Sequence, residues 1–262
     1  MTPQTFDGIL SWFQAFTASH ADNGGSALHP LLQLKLDHSR RVAAECRDIA
    51  SELGWSDSDR RIAEATGILH DTGRFPQFAR HRTFSDSSSL NHGECGYSTV
   101  LASVALDSCE PVEAAILLDS VRHHNRRLIP DSIGPGSLPF LKLVRAADKL
   151  DILFVINDTL RRGRHKDYPE IMLNIEIDGP PTPELVREIR DTGSGRYENV
   201  KTLADMGLMR MSWVYDLNYI PSFRRIRDRR LLEDVYESLP DTPDIRAIIA
   251  NAAQHMEKNL SD

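Results

Sequence analysis

The chain has 262 residues, of which 40% are hydrophobic, and a formal net charge of -7. Non-specific nucleic-acid binding is disfavoured, because it needs a surface that neutralises phosphates. No apolar run approaches the roughly 18 residues that span a bilayer, and Asp7 stands where a secretory signal would be positively charged. Three cysteines exclude a complete disulfide framework. We therefore expect a globular, cytoplasmic protein with no membrane partner.

The first third of the sequence predicts three helices. The first has phenylalanines and a leucine at helical spacing near residues 6–16. The second runs from about Pro30 to Leu53, and its apolar stripe of Val42, Cys46 and Ile49 includes His38. The third begins after Ser56, which with Asp59 is typical of an N-cap pair, and ends near 70–73.

Residues 74–91 are polar and include Pro76 and three consecutive serines, which predicts a loop or lid. Another helix starts near Asn91. Pro111 suits the first position of the next helix, where His124 shares a face with Leu117 and Val121. After a loop at 130–139, one more apolar stripe has Asp148 in its middle.

The C-terminal third is more charged and contains a proline-rich linker at 180–183 and at least two helices. The best candidate for a strand is Met172 to Ile177, which alternates weakly. We therefore predict an all-α protein. The whole chain, 1–262, is expected to be a single domain, with a core at about 30–155 and a C-terminal helical extension at about 168–262.

Seven histidines and aspartates recur on predicted apolar faces or at helix ends: His38, His70, Asp71, His92, His123, His124 and Asp148. A lone histidine on such a face is more often a hydrogen-bonded core residue, so His38 and His92 taken singly favour a structural role. A buried carboxylate must be paired or bound to a metal. Together, five imidazoles and two carboxylates on five helices predict a metal site.

The residue types also indicate the ions. Imidazole suits iron, zinc, cobalt or nickel, whereas carboxylate also suits manganese and magnesium, so the sequence does not distinguish among these divalent metals. Adjacent His70 and Asp71 point about a third of a helical turn apart and can reach one locus. A carboxylate can bridge two ions, and two ions roughly 3.5–4 Å apart polarise a phosphoryl oxygen and generate a hydroxide nucleophile.

His38, then His70-Asp71, then Asp148 resemble the H…HD…D signature of the HD superfamily, over roughly residues 30–155. The resemblance implies an HD-type helical bundle with metal-dependent phosphohydrolase activity. It also implies that these four residues bind one metal ion.

The remaining histidines resemble the extra ligands of the dinuclear HD subgroups, in which Asp71 would bridge. These are His92 and the adjacent His123 and His124, of which His124 is preferred because it shares the apolar face. The stretches 70–77, 83–86, 91–93, 124–125 and 145–151 are similar to a bacterial HD group without an assigned substrate. Residues 125–130 lack the DGxGYP segment of the HD-GYP type, which disfavours cyclic-di-GMP hydrolysis.

A small phosphorylated substrate needs cationic partners, and arginine supplies bidentate forks for phosphate. Most arginines are solvated surface charges, so we select candidates by their distance in sequence from the predicted ligands. Arg126, Arg145 and Lys149 lie close in sequence to predicted ligands and are the catalytic candidates. Arg74 and Arg80 follow the His-Asp pair and are the substrate-binding candidates.

Three functions fit this sequence. The leading hypothesis is metal-dependent hydrolysis of a phosphomonoester or phosphodiester, with nucleotides among the candidates, by a metal-bound hydroxide at a dinuclear site. The alternative is a mixed-valent di-iron oxygenase, similar to myo-inositol oxygenase, that acts on a small polyol or phosphonate-like substrate. A non-enzymatic metal or nucleotide sensor ranks third. The natural substrate, the native metal and the oligomeric state stay open at this point.

Overall fold

The computed structural model describes residues 1–21, 27–166, 172 and 175–261. These residues form an all-α fold, as the sequence predicts. The α-helices in chain order are α1 (Pro3–Ala18), α2 (Pro30–Glu52), α3 (Asp57–Leu69), α4 (Arg74–His81), α5 (His92–Leu101), α6 (Pro111–His123), α7 (Leu138–Arg161), α8 (Pro183–Thr192), α9 (Leu203–Ser212), α10 (Ile220–Asp228), α11 (Glu233–Ser238) and α12 (Pro243–Ser261).

The chain divides into two compact units, Met1–Asp148 and Lys149–Asp262, and the division falls inside α7. The predicted start of the extension near residue 168 lies outside the described residues, and the single-domain organisation stays a prediction. None of the described helices is both long and apolar enough to cross a membrane.

The N-caps in the first unit confirm three predicted helix starts. The Ser56 hydroxyl accepts a hydrogen bond from the Asp59 amide at 3.1 Å, and Asn91 does the same for the Glu94 amide at 3.0 Å. Pro111 occupies the first turn of α6, where its missing N–H costs nothing. These caps set where α3, α5 and α6 begin, and therefore where their histidines lie.

Close backbone contacts bring the helices of the first unit together around those histidines. Gly67 of α3 lies against α2, and a Cβ at that position would be 2.5 Å from the Cα of Ala43. Gly73, in the turn after α3, lies against the start of α5, where a Cβ would overlap the carbonyl oxygen of His92. The turn that follows the His-Asp pair therefore packs directly on the backbone of a third predicted ligand.

Two expectations from the sequence were wrong. Residues 74–81 form a helix and not a loop, because Phe75 and Phe78 bury one face of α4 and Pro76 falls in its first turn, where proline is tolerated. Of the predicted strand 172–177, the described residues form no strand, and Glu176 makes only an isolated bridge to Thr202. Residues 173 and 174 of that stretch lie outside the described residues.

The second unit has its own buried polar contacts. Asp205, fully buried in α9, accepts hydrogen bonds from the amides of Thr182 and Thr202 at 2.6 and 3.1 Å. The buried guanidinium of Arg210 donates to Asn157 at 2.7 Å. Burial lowers the pKa of Arg210 to about 10.

Candidate metal centre

Six of the seven predicted ligands converge within the first unit. His38 lies in the middle of α2, His70 and Asp71 directly follow α3, and His92 begins α5. His124 follows the last residue of α6, and Asp148 lies in α7. Five of the six residues are buried, and the Asp148 side chain is 17% exposed.

One half of the site is built around His38. Its Nε2 lies 3.2 Å from Nε2 of His70 and 3.1 Å from Oδ1 of Asp148. Oδ2 of Asp71 lies 3.5 Å from the same nitrogen. Two imidazole nitrogens and two carboxylate oxygens therefore surround one locus, which we call the His38 half.

The other half is built around His92 and His124. Their Nε2 atoms are 3.0 Å apart. Oδ1 of Asp71 lies 3.4 Å from Nε2 of His92 and 3.7 Å from Nε2 of His124. The two oxygens of Asp71 thus face different histidine pairs, and we call this second locus the His92 half.

The hydrogen-bonding state of the rings fits a cation in the His92 half. Nδ1 of His124 lies 2.9 Å from the carbonyl oxygen of Val121, which can only accept, so Nδ1 holds the proton. Nδ1 of His92 faces the carboxylate of Asp86 at 2.7 Å and holds a proton for the same reason. In neutral rings this leaves both Nε2 lone pairs directed at each other, an arrangement that a metal ion between them stabilises.

The pKa shifts agree with side chains in the protonation states that bind a metal ion. Burial, with Arg74 nearby, lowers the pKa of His92 to about 3, and burial also lowers that of His124, so both rings are neutral. Burial by itself would raise the pKa of Asp71, but Lys35 and the neighbouring imidazoles hold it well below its usual value. Neutral imidazoles and ionised carboxylates are the forms that bind metals.

The family model described as the HD domain matches residues 36–153. This stretch of the chain is an HD domain. HD domains are generally metal-dependent phosphohydrolases. The matched residues include all six candidate ligands of the two halves. No curated protein matches the chain, and no solved structure does either. The predicted similarity to a bacterial HD group without an assigned substrate stays a prediction.

One lysine and one arginine side chain contact Asp71, the carboxylate that lies between the two halves. Nζ of Lys35 is 2.9 Å from Oδ2 and lies over the ring of Phe84 at 5.5 Å. Nε of Arg74 is 3.4 Å from Oδ1. Arg74 was predicted from the sequence and Lys35 was not, although Lys35 precedes His38 by three residues and therefore shares its helix face.

Arg145 supports the turn that presents His124. Its guanidinium is buried and donates to the carbonyl oxygen of His124 at 2.9 Å, and it also donates to the carbonyl oxygen of Arg126. These contacts fix the end of α6, so they give Arg145 a structural role in positioning a ligand. The predicted contact of Arg145 with substrate stays a prediction.

The other predicted site residues make contacts with residues other than Asp71 or belong to no ligand group. His123 is half-buried, its Nδ1 has no hydrogen-bond partner, and no ligand group among the described residues includes it. Arg80 is exposed on α4. Arg126 pairs with Glu94 at 2.6 Å, and Nζ of Lys149 lies 2.6 Å from Oδ2 of Asp216.

Asp86 is the second residue that the sequence analysis missed. It belongs to the segment predicted as a loop, yet it binds the ring of His92 at Nδ1 and accepts from Gln77, which is fully buried. Burial would raise its pKa, but the hydrogen bond to His92 and the charge of Arg74 hold that pKa below its usual value. Its place in the stretch 83–86, which is similar to a bacterial HD group, was the one signal in the sequence, and it indicated no role for the carboxylate.

Proposed function

We propose that the chain is a phosphohydrolase that binds two divalent metal ions and hydrolyses a small phosphomonoester or phosphodiester, with nucleotides among the candidate substrates. The observation that supports this most strongly is the division of Asp71, whose two oxygens face two separate pairs of imidazoles. One carboxylate between two donor pairs suits a bridging ligand, and phosphoryl transfer is a reaction that two-ion sites promote.

The ions, when bound, supply Lewis acidity toward a phosphoryl oxygen and lower the pKa of a water molecule. The protein holds the ligands in place. Nδ1 of His70 and of His124 donate to carbonyl oxygens of their own helices at 2.7 and 2.9 Å, which fixes the ring orientations. Rings fixed before binding lose little conformational freedom when the ions arrive.

Fixed positive charge beside the centre would stabilise the charge that develops on a transferring phosphoryl group. Lys35 is the best placed of the cations described above, because its Nζ touches Asp71 while its side chain remains 13% exposed. Lys149, Arg126 and Arg145 remain proposed catalytic cations, and Arg74 and Arg80 remain proposed substrate-binding residues.

The experiment that tests this function starts with metal analysis of protein purified without chelators. A panel of phosphomonoesters, phosphodiesters and nucleotides is then assayed with manganese, magnesium, cobalt and iron. We expect turnover that requires a divalent ion, stops on chelation and is absent in Asp71→Ala. An Asp107→Ala variant, which changes an exposed carboxylate of the same unit, serves as the matched control.

Two results would overturn the proposal in different directions. If no phosphoester is turned over with any ion, and reduced, iron-loaded protein consumes oxygen with a polyol or phosphonate, the protein is a di-iron oxygenase. If the protein binds metal tightly and turns over no substrate of either class, it is a sensor.

A further inference from the structure

Asp86 lies at the centre of a hydrogen-bond network that joins three helices of the HD domain. Its Oδ1 accepts from Nη1 of Arg74 and Nε2 of Gln77, each at 3.0 Å, and its Oδ2 accepts from Nδ2 of Asn125 at 3.0 Å. Nδ1 of His92 lies 2.7 Å from Oδ2 and 2.8 Å from Oδ1. The carboxylate is therefore held by α4, by the start of α5 and by the turn after α6.

His92 differs from its neighbours in what supports it. The Nδ1 atoms of His70 and His124 donate to backbone carbonyl oxygens, those of Gly67 and Val121. Nδ1 of His92 instead faces a carboxylate. A carboxylate is a stronger acceptor than a carbonyl group, and a ring that donates to it becomes a better metal ligand at its other nitrogen.

The two halves also differ in direct negative charge. The His38 half has oxygens from Asp71 and Asp148. The ligand group that contains His92 combines one oxygen of Asp71 with two neutral imidazoles, those of His92 and His124. A divalent cation is bound more weakly by fewer anionic ligands, so the His92 half depends on charge supplied from outside its direct ligands.

We propose that Asp86 is a positioning residue that sets the affinity of the His92 half for its ion, and that the His92 half loads after the His38 half. This inference rests on the two-ion function proposed above. Asp86 acts through the ring of His92, whose orientation and donor strength it fixes. Arg74, Gln77 and Asn125 hold Asp86 in place for that role.

In the test, metal-free protein is titrated with Mn²⁺, and binding is measured by calorimetry and by equilibrium dialysis. The variants are Asp86→Ala and Asp86→Asn, with Asp131→Asn as a control at an exposed carboxylate of the same unit. We expect the wild type and the control to bind two ions with unequal Kd values. In Asp86→Ala the tighter Kd should stay the same, and the weaker Kd should rise about 10–100-fold, the usual cost of losing such an outer partner.

Asp86→Asn separates geometry from charge, because its amide oxygen still accepts from His92 but has no negative charge. We expect its weaker Kd to lie between those of wild type and Asp86→Ala. The tighter ion reports at the same time that the fold is intact.

The outcomes separate this inference from the function on which it rests. If the wild type binds two ions and both Asp86 variants keep the wild-type Kd values, the role of Asp86 is wrong and the two-ion function stands. If Asp86→Asn loses both ions together, Asp86 supports the whole centre and the selective role is also wrong. If the wild type binds only one ion, the two-ion function itself fails.

Discussion

Asp205 in the second unit and Asp71 in the first are both buried aspartates, but their surroundings differ. Asp205 accepts from two hydrogen-bond donors of Thr182 and from the amides of Lys201 and Thr202, at 2.6–3.1 Å. Asp71 faces imidazole nitrogens at 3.4–3.8 Å, the ammonium group of Lys35 at 2.9 Å and the guanidinium of Arg74 at 3.4 Å. The protein itself satisfies the first carboxylate and leaves the second oriented toward a cation.

The difference shows how to separate a structural buried carboxylate from a functional one. A buried charge costs free energy unless it is paired and hydrogen-bonded. The donors around Asp205 lie at the starts of two helices, α8 and α9, where backbone amides need partners. Around Asp71 the imidazole Nε2 atoms are acceptors when the rings are neutral and face the carboxylate on its two sides, and a cation would satisfy both kinds of group.

The largest expected effect is that of Asp71→Ala on metal content. Because Asp71 faces both halves, its loss should remove both ions and abolish phosphoester turnover. Metal content measured after gel filtration checks this, with Asp107→Ala as the control. A full complement of metal in Asp71→Ala would show that it is not the shared ligand.

A smaller effect is expected when one histidine of the His92 half is changed. His124→Ala should leave about one ion per chain, because the His38 half keeps all of its ligands. His38→Ala should instead disturb metal binding in the His38 half. The metal content of the two variants is measured side by side. If His124→Ala keeps two ions, His124 is not a ligand of the second ion, and a residue that we have not assigned holds it.

Removing a cation should lower turnover without releasing metal. Lys35→Met keeps most of the side-chain packing against Phe84 but removes the ammonium group, and we expect a loss of roughly a hundredfold or more in kcat. Lys149→Ala, measured in parallel, tests the cation that the sequence suggests. If only Lys149→Ala is slow, the stabilising charge comes from Lys149. Loss of metal from Lys35→Met would instead make Lys35 a support for Asp71.

The smallest effect on the metal centre is expected from Asp205→Ala. This change leaves several buried donors without an acceptor, which should lower the free energy of unfolding by about 3 kcal/mol. Urea denaturation measures the loss, and metal content should stay at the wild-type value. A drop in bound metal without a drop in stability would contradict the structural role of Asp205.

The sequence indicated six residues that the structure brings together, because helical periodicity shows which polar residues share a face with apolar ones. His38 and Asp148 were identified in this way, each from the stripe that surrounds it. The adjacent His70 and Asp71 were identified from their position at the predicted end of a helix. In each case the signal was local, within a few residues of the ligand.

What the sequence did not predict depends on contacts between distant segments. Asp86 lies in a serine-rich stretch, and only the folded arrangement of α4 and α5 brings it to His92. The helix α4 was missed because Pro76 and the surrounding polar residues resemble a loop, whereas burial of Phe75 and Phe78 decides its conformation. Lys35 was detectable from its spacing to His38, but a lysine on a partly exposed face is usually solvated.

The contact between Gly73 and the backbone of His92 determines how near the two pairs of histidines can approach. A side chain at residue 73 would overlap the carbonyl oxygen of His92 and the amide nitrogen of Gly96, which are backbone atoms of α5 and cannot rotate away. Any larger residue would therefore displace α5 and move His92 from Asp71. Because Gly73 has no side chain, the backbone of the turn lies directly against the backbone of α5. The distance between the two loci is therefore set by contact between backbone atoms.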